Sequence, residues 1–280
     1  MNHKIIFAPA KVNLFLYVLG NMPDGYHEIF TLMLKVSLFD KLTLSVLKGD
    51  SVSIETNMPG LPKDSRNTVY KAIECFFRNK PIEKKQVNIY IEKNIPVEAG
   101  MGGGSSDASA VLKTLNEIMH AYSEKELFEI AKHIGSDVPF FMVDGPAIAT
   151  GKGGQIDKVQ IKDLIYFIVI KPDFGISTQW AYSHINLLTN HDVKHKCYHN
   201  VYTNKEIAMC LHNDLEIVAE EYNPQIKLIK ERILFYGADG AMMTGSGSAV
   251  FGLFFEKKAA ENAYLKISKE FTTVYKLTSI

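Results

Sequence analysis

Apolar residues change their spacing several times along this chain, and each change marks an element. From Ile5 to Leu19 β-branched and aromatic residues predict a strand broken by Pro9. Asn21-Met22-Pro23-Asp24-Gly25 predicts a turn, because proline presets φ and the other residues tolerate a reversal. Residues 28–47 alternate well enough for two strands, the second over Leu42 to Leu47, and Val52, Ile54 and Thr56 continue the pattern. Beyond a loop at 58–63, Val69, Ile73, Phe76 and Phe77 share one helical face, with Asn67 or Thr68 as its N-cap. A strand over Val87 to Ile91 leads into a glycine-rich stretch. A helix over Ala108 to Met119 leaves it, with Ser106 and Asp107 as cap candidates. Ser123 with Glu126 is a capping box for a helix over Glu124 to Ile134, which stops at Gly135.

The second half predicts a short strand over Pro146 to Thr150, a strand over Leu164 to Ile170 and a helix over Ser177 to Leu188. A polar connection follows, then helices over Glu206 to Glu221 and Pro224 to Tyr236. Strands over Ala241 to Thr244 and Ala249 to Phe255 flank Gly245-Ser246-Gly247-Ser248, and a last helix begins near Lys257. Helices and strands mix without strict βαβ alternation, so the expected class is α+β. Composition shifts after the loop Gly151 to Gly154, which places a domain boundary near residue 155 and gives expected domains 1–155 and 156–280.

The 280 residues are 46% hydrophobic, enough for one large domain or two modest ones. Net charge is zero and no run of five like charges occurs, which argues against nucleic acid or an anionic membrane as partner. Three cysteines, Cys75, Cys197 and Cys210, lack C-x-x-C spacing and read as free thiols in a reducing compartment. The first residues lack an apolar signal segment, and no stretch has the roughly 18 apolar residues that span a bilayer. The expectation is a soluble, cytoplasmic protein.

Candidate chemistry begins with the glycine stretch. Residues 95–110 hold Gly100, Gly102, Gly103 and Gly104 before Ser105 and Ser106. A glycine loop feeding a helix N-terminus offers free amides and a positive dipole end to a phosphate, although a serine-capped turn would look similar. It is neither a Walker A sequence nor a Gly-x-Gly-x-x-Gly fingerprint, so backbone amides would do the work of a P-loop lysine. Lys11 and Asn13 interrupt an apolar strand. A buried lysine is costly unless paired, and an edge lysine facing water is the alternative. Gly245 to Ser248 is a second small turn that a tight hairpin would also explain. Asp137, after a helix end and before an apolar run, is either a turn residue or a general base. His191, His195, Cys197 and His199 have helical spacing suited to zinc. Their segment lacks apolar periodicity, however, so it is read as a solvated loop and no metal site is assigned.

Together, Ala8 to Asn13, Gly25-Tyr26-His27-Glu28, Ile95 to Ser106, Ile134 to Phe141 and Met243 to Ser248 resemble the motifs of the GHMP superfamily of small-molecule kinases. The resemblance covers nearly the full length. Gly-Tyr-His narrows it to the branch acting on 4-diphosphocytidyl-2-C-methyl-D-erythritol in the non-mevalonate isoprenoid pathway. It implies two domains, one like ribosomal protein S5 domain 2 and one ferredoxin-like, and ATP-dependent phosphorylation of a substrate hydroxyl. Lys11 and Asp137 match the catalytic pair. Pro96, Val97, Glu98, Ala99, Gly100, Met101, Gly102, Gly103, Gly104, Ser105 and Ser106 match the ATP loop, and Asn67 and Lys93 match positions near adenine and ribose. Tyr26, His27 and Tyr182 match the cytosine pocket, with Phe174 and Trp180 as alternatives to Tyr182. Asn13 and Thr178 match positions around the methylerythritol hydroxyls.

Implied partners are ATP with Mg²⁺ and a small cytidine diphosphate substrate, in a monomer or homodimer. Glu98 departs from the small residue common in this loop, setting a negative charge near the expected triphosphate. Met101 and Ser136 are mild departures. Mevalonate and homoserine kinases share the superfamily motifs but not Gly25-Tyr26-His27. An RNA-binding module is disfavoured by the absence of a basic stripe.

Overall fold

The computed structural model describes residues 2–185 and 197–280. The chain forms two compact units that interleave in sequence. The first comprises the chain up to Ala10, Leu38–Ile95 and Gly102–Asp144; the second comprises Lys11–Ser37, Pro96–Met101 and Gly145–Ile280. This differs from a single cut near residue 155, and the reason is strand length. Strand β1 (Asn2–Asn21) and strand β2 (His27–Lys48) each run through both units. Pro9 does not break β1, because its fixed φ suits extended backbone and it forfeits one ladder hydrogen bond at most. The two strands expected over 28–47 are one.

In the first unit β2 continues with β3 (Val52–Thr56), α1 (Thr68–Arg78) and β4 (Lys85–Glu92). Strand β4 pairs antiparallel with β2, Lys41 opposite Glu92, and parallel with β3. Val87, Ile89 and Ile91 are buried while Tyr90 is exposed, the alternation of a sheet with one covered face. Helix α1 starts where Asn67 Oδ1 accepts from the Val69 amide at 2.9 Å. Its Val69, Ile73 and Phe76 join Val111, Leu112 and Leu115 of α2 (Gly103–Met119) in one core with the sheet. Helices α3 (Glu124–Lys132) and α4 (Val138–Met142) complete the unit, and the Ser123–Glu126 capping box is present.

The start of α2 corrects the sequence reading. Its N-cap is Gly102, at φ 71°, so Ser105, Ser106 and Asp107 lie inside its first turns rather than capping it. Poor glycine propensity is overridden by close packing. A Cβ on Gly103 would meet Ile95 Cγ2 at 3.1 Å, and one on Gly104 would meet Thr68 Oγ1 at 3.3 Å.

The second unit adds β5 (Ala147–Gly151), paired antiparallel with residues 29–33 of β2, and β6 (Gln155–Lys158). Short β7 (Gln160–Ile161), β8 (Tyr166–Ile170), α5 (Thr178–His184) and β9 (Val201–Tyr202) follow. The helix expected over 206–221 is two, α6 (Asn204–Cys210) and α7 (Asp214–Tyr222), divided by β10 (His212–Asn213), which pairs parallel with β1. Two caps impose the division. Thr203 and Glu206 box the first helix, and Asn213 Oδ1 accepts from Leu215 at the second. Then come α8 (Gln225–Phe235), β11 (Gly240–Met243), β12 (Val250–Phe254), α9 (Lys257–Ile267) and β13 (Val274–Thr278), the last unforeseen in sequence. The order β11-β12-β8-β13, antiparallel throughout, is that of a ferredoxin-like sheet. Ile168, Ile170, Ile226, Ile229, Val250 and Ile267 lie in its core.

Candidate functional site

Each unit carries its own share of the expected residues. In the first, the N-terminus of α2 presents amides with no intrahelical acceptor, next to hydroxyls. Ser106 is 1% exposed and its Oγ has no hydrogen-bond partner, an orphaned oxygen in a helix N-terminus. Ser105 Oγ lies 3.9 Å from the position of a Cβ on Gly135, two residues before Asp137. Asp137 is the N-cap residue of α4, yet its side chain does not cap that helix. Asn67, besides capping α1, donates from Nδ2 to the Pro62 carbonyl at 2.7 Å. Lys93 lies buried among carboxylates, bonded to Asp40 and, at 2.8 Å, to Asp107.

In the second unit, β1 brings Lys11 and Asn13 onto the two glycine turns. Lys11 is 3% exposed and donates from Nζ to Asn13 Oδ1 at 2.6 Å, while its amide donates to the Met101 carbonyl at 3.0 Å. The Asn13 amide donates to Thr244 Oγ1 at 3.0 Å, and Asn13 Nδ2 donates to Thr31 Oγ1 at 2.8 Å. Thr244 Oγ1 also reaches the Gly100 carbonyl at 3.3 Å. Gly100 has φ 70°, and a Cβ there would lie far inside van der Waals contact with the Thr244 carbonyl oxygen. Ser248 and Ala249 donate their amides to the carbonyls of Glu98 and Ala99. Residues 96–101 and 244–249 therefore form one backbone assembly. A Cβ on Gly245 would lie 3.1 Å from Lys11 Nζ, so this glycine leaves room for the ammonium.

Asn213 is a residue that sequence reasoning passed over. It is 5% exposed and donates from Nδ2 to the carbonyls of Met243 at 2.8 Å and Gly245 at 2.9 Å, fixing the second turn. A signal existed: a polar Asn-Asp pair between two apolar helical runs is a capping position.

The pocket expected for cytosine is also within this unit. The His27 and Tyr182 rings lie 5.1 Å apart at 34°, and burial lowers the pKa of His27. Trp180 and Phe174 approach Tyr222, at 4.6 and 6.3 Å. Tyr26 is 56% exposed, with Lys152 Nζ 4.8 Å over its ring and that ammonium ion-paired to Asp24. Thr178 Oγ1 and Ser246 Oγ are 2.9 Å apart. Glu98, at φ 51°, aims its carboxylate at the Cα of Gly175, where a side chain would collide with it. Lys171 lies close enough for Glu98 to act against the burial that lowers the lysine's pKa. The unexpected charge thus has a cation beside it. Val97 is exposed, while Ala99 and Met101 are buried.

His191 and His195 lie outside the described residues. Cys197 is buried, with its carbonyl accepting from Tyr202 Oη at 2.6 Å, and His199 packs edge-on against the Tyr202 ring. Among the described residues no group of three His, Cys, Asp or Glu side chains could hold a metal, and no helix is long and apolar enough to cross a membrane.

The model of the GHMP kinases N terminal domain matches residues 67–145, and that of the GHMP kinases C terminal region matches residues 195–273. A 4-diphosphocytidyl-2-C-methyl-D-erythritol kinase of Clostridium tetani is 41% identical over 276 residues, covering 96% of this chain and 98% of its own. The chain belongs to this family of GHMP kinases. A second member, from Syntrophotalea carbinolica, is 40% identical and covers 91% of this chain and 92% of its own. A crystal structure of a 4-(cytidine 5'-diphospho)-2C-methyl-D-erythritol kinase superposes with a TM-score of 0.80 at 30% identity, covering 99% of each chain. The protein is a kinase with the α+β fold of the GHMP kinases.

Proposed function

We propose that this kinase transfers the γ-phosphoryl group of ATP to a hydroxyl of the methylerythritol unit of 4-diphosphocytidyl-2-C-methyl-D-erythritol. The observation that carries the choice of acceptor is the His27–Tyr182 ring pair beside exposed Tyr26, an aromatic site for a flat base. The acceptor is held at its base by Tyr26, His27 and Tyr182 and at its hydroxyls by Asn13 and Thr178. The triphosphate takes the amides at the start of α2 and the backbone of residues 96–106, with Asn67 on the nucleoside side.

Asp137 accepts the hydroxyl proton. Lys11, kept in place by Asn13 and the space over Gly245, supplies positive charge to the reacting oxygens. Phosphoryl transfer asks for positioning and charge neutralisation, which these groups provide without a covalent intermediate. The orphaned Ser106 hydroxyl is a hard oxygen donor of the kind magnesium accepts, so the residues fit a metal arriving with ATP. Mg²⁺ held there would neutralise phosphate charge. The setting is the cytoplasm, as a monomer or homodimer.

The test is ATP consumption with three acceptors. The cytidylylated methylerythritol should be phosphorylated while mevalonate and homoserine are not. Turnover of either of those in preference to it would overturn the assignment.

A further inference from the structure

The glycine loop leaves the first unit after Ile95 and re-enters it at Gly102, and buried charge occupies both stems. The Lys93 side chain is 4% exposed; those of Asp40 and Asp107 are 0% and 3%. Asp40 Oδ1 accepts from the amides of Asn94 at 2.6 Å and Ile95 at 2.8 Å, the residues that open the loop. Its other oxygen takes the Lys93 ammonium. That ammonium continues to Asp107 Oδ2 at 2.8 Å, one turn into α2. It also lies 3.1 Å from the position of a Cβ on Gly103, the first residue of α2. The Lys93 backbone is held in turn, its amide donating to Asn57 Oδ1 at 2.8 Å.

Desolvating three charges gains little stability over a well-packed apolar cluster of the same volume. A charged cluster offers direction instead. It fixes the amides of residues 94 and 95 and the first turn of α2 by hydrogen bonds of defined geometry. The ammonium stays protonated: burial alone would lower the Lys93 pKa, but Asp107 and Asp40 together raise it. Burial pushes Asp107 up to about 7 against the pull of Lys93, with Asp40 adding to the rise, and Asp107 Oδ1 has no partner.

We propose that Asp40, Lys93 and Asp107 form a clamp that positions both stems of the phosphate loop and so aims the α2 amides at the triphosphate. This rests on residues 96–106 being the ATP loop. The three are positioning residues, and Lys93 serves the phosphates through the loop rather than touching the adenine or ribose. The carboxylates on its ammonium and its near-total burial favour that role.

Binding of ATP and of inorganic tripolyphosphate, which has no base or ribose, separates the two roles in Lys93→Met. A clamp makes both ligands weaken together, by about 10- to 100-fold as expected for a displaced binding loop, with KM for the cytidine diphosphate acceptor unchanged. Weakened ATP with unchanged tripolyphosphate would assign Lys93 to the nucleoside and overturn the clamp, as would no loss for either ligand. If Lys93→Met does not fold, the double variant Lys93→Met/Asp107→Asn, which removes the cation and one carboxylate charge together, is read by the same outcomes. Wild-type protein that binds both ligands but leaves the acceptor unphosphorylated would refute the acceptor assignment alone, and the variants would still decide the clamp. Wild-type protein that binds neither ligand would overturn both.

Discussion

The two parts of the glycine loop are held by opposite chemistry. Its stems, in the first unit, are tied by a buried lysine and two buried aspartates. Its tip, residues 96–101 in the second unit, is tied by backbone amides, carbonyls and the Thr244 hydroxyl, with Gly100 pressed onto the Thr244 carbonyl. A charged tie can be tuned by pH and loses much when one member is removed, because the others are left desolvated. A neutral tie made by close backbone approach is insensitive to pH and intolerant of a single added carbon. The same loop should therefore respond differently at its two ends.

The largest effect should come from neither end. Asp137→Asn should lower kcat by about 10²–10⁴-fold while ATP binding persists, measured by steady-state kinetics beside a direct binding assay. A parallel loss of ATP binding would make Asp137 part of the loop's support instead.

At the tip, Gly100→Ala should cost about 2–4 kcal/mol from the left-handed backbone and the collision together, read as a lowered melting temperature with a raised KM for ATP. A melting temperature unchanged from wild type would show that the Thr244 turn gives way freely.

The acceptor side provides a control outside the loop. Tyr26→Ala should weaken the cytidine substrate by about 1–3 kcal/mol, by analogy with base stacking on aromatic side chains, and spare ATP. Equal losses for the two ligands would misplace the pocket.

The stems should show a pH signature. Asp107 is raised to about 7, so between about pH 4 and 7 the folded state holds a proton that the unfolded chain has released. That group's contribution makes stability fall as pH rises through this window, and Asp107→Asn should remove the slope. A denaturation series across pH on both proteins checks it; identical slopes would mean that the carboxyl is ionised throughout.

The smallest change is expected for Asn67→Ala, about 1 kcal/mol of stability for a lost N-cap. A large rise in KM for ATP with little loss of stability would make Asn67 a nucleotide contact first and a cap second.

Local features were legible in the sequence, and features that depend on distant partners were not. The Asn67 cap, the Ser123–Glu126 box and the alternation at Val87, Ile89 and Ile91 are signals within a few residues, and each appears as expected. The start of α2 was misplaced because serine and aspartate cap well in isolation. The helix instead begins at Gly103, after the Gly102 cap, where packing of Gly103 against Ile95 and Gly104 against Thr68 decides the matter. Lys93 matched a nucleotide position by resemblance, but its partners Asp40 and Asp107 lie 53 and 14 residues away and carry no local signature. Glu98 stayed unexplained for the same reason. Its neighbours Gly175 and Lys171 come from a different part of the chain.

The long span of β1 has a consequence for synthesis. The Asn13 amide waits for Thr244 Oγ1, 231 residues later in the chain. At translation rates of about 5–20 residues per second that interval is on the order of ten seconds or more. Through it, Leu16 and Val18, both buried in the finished protein, have emerged from the ribosome before core partners such as Met243, Val250 and Phe254 exist. The first unit is complete in sequence at Asp144 and can close early, whereas the second holds an apolar strand open until residues around 244 and beyond have been made. Nascent chains stalled before residue 244 should therefore be the ones that trigger-type chaperones retain and proteases cut within residues 11–37.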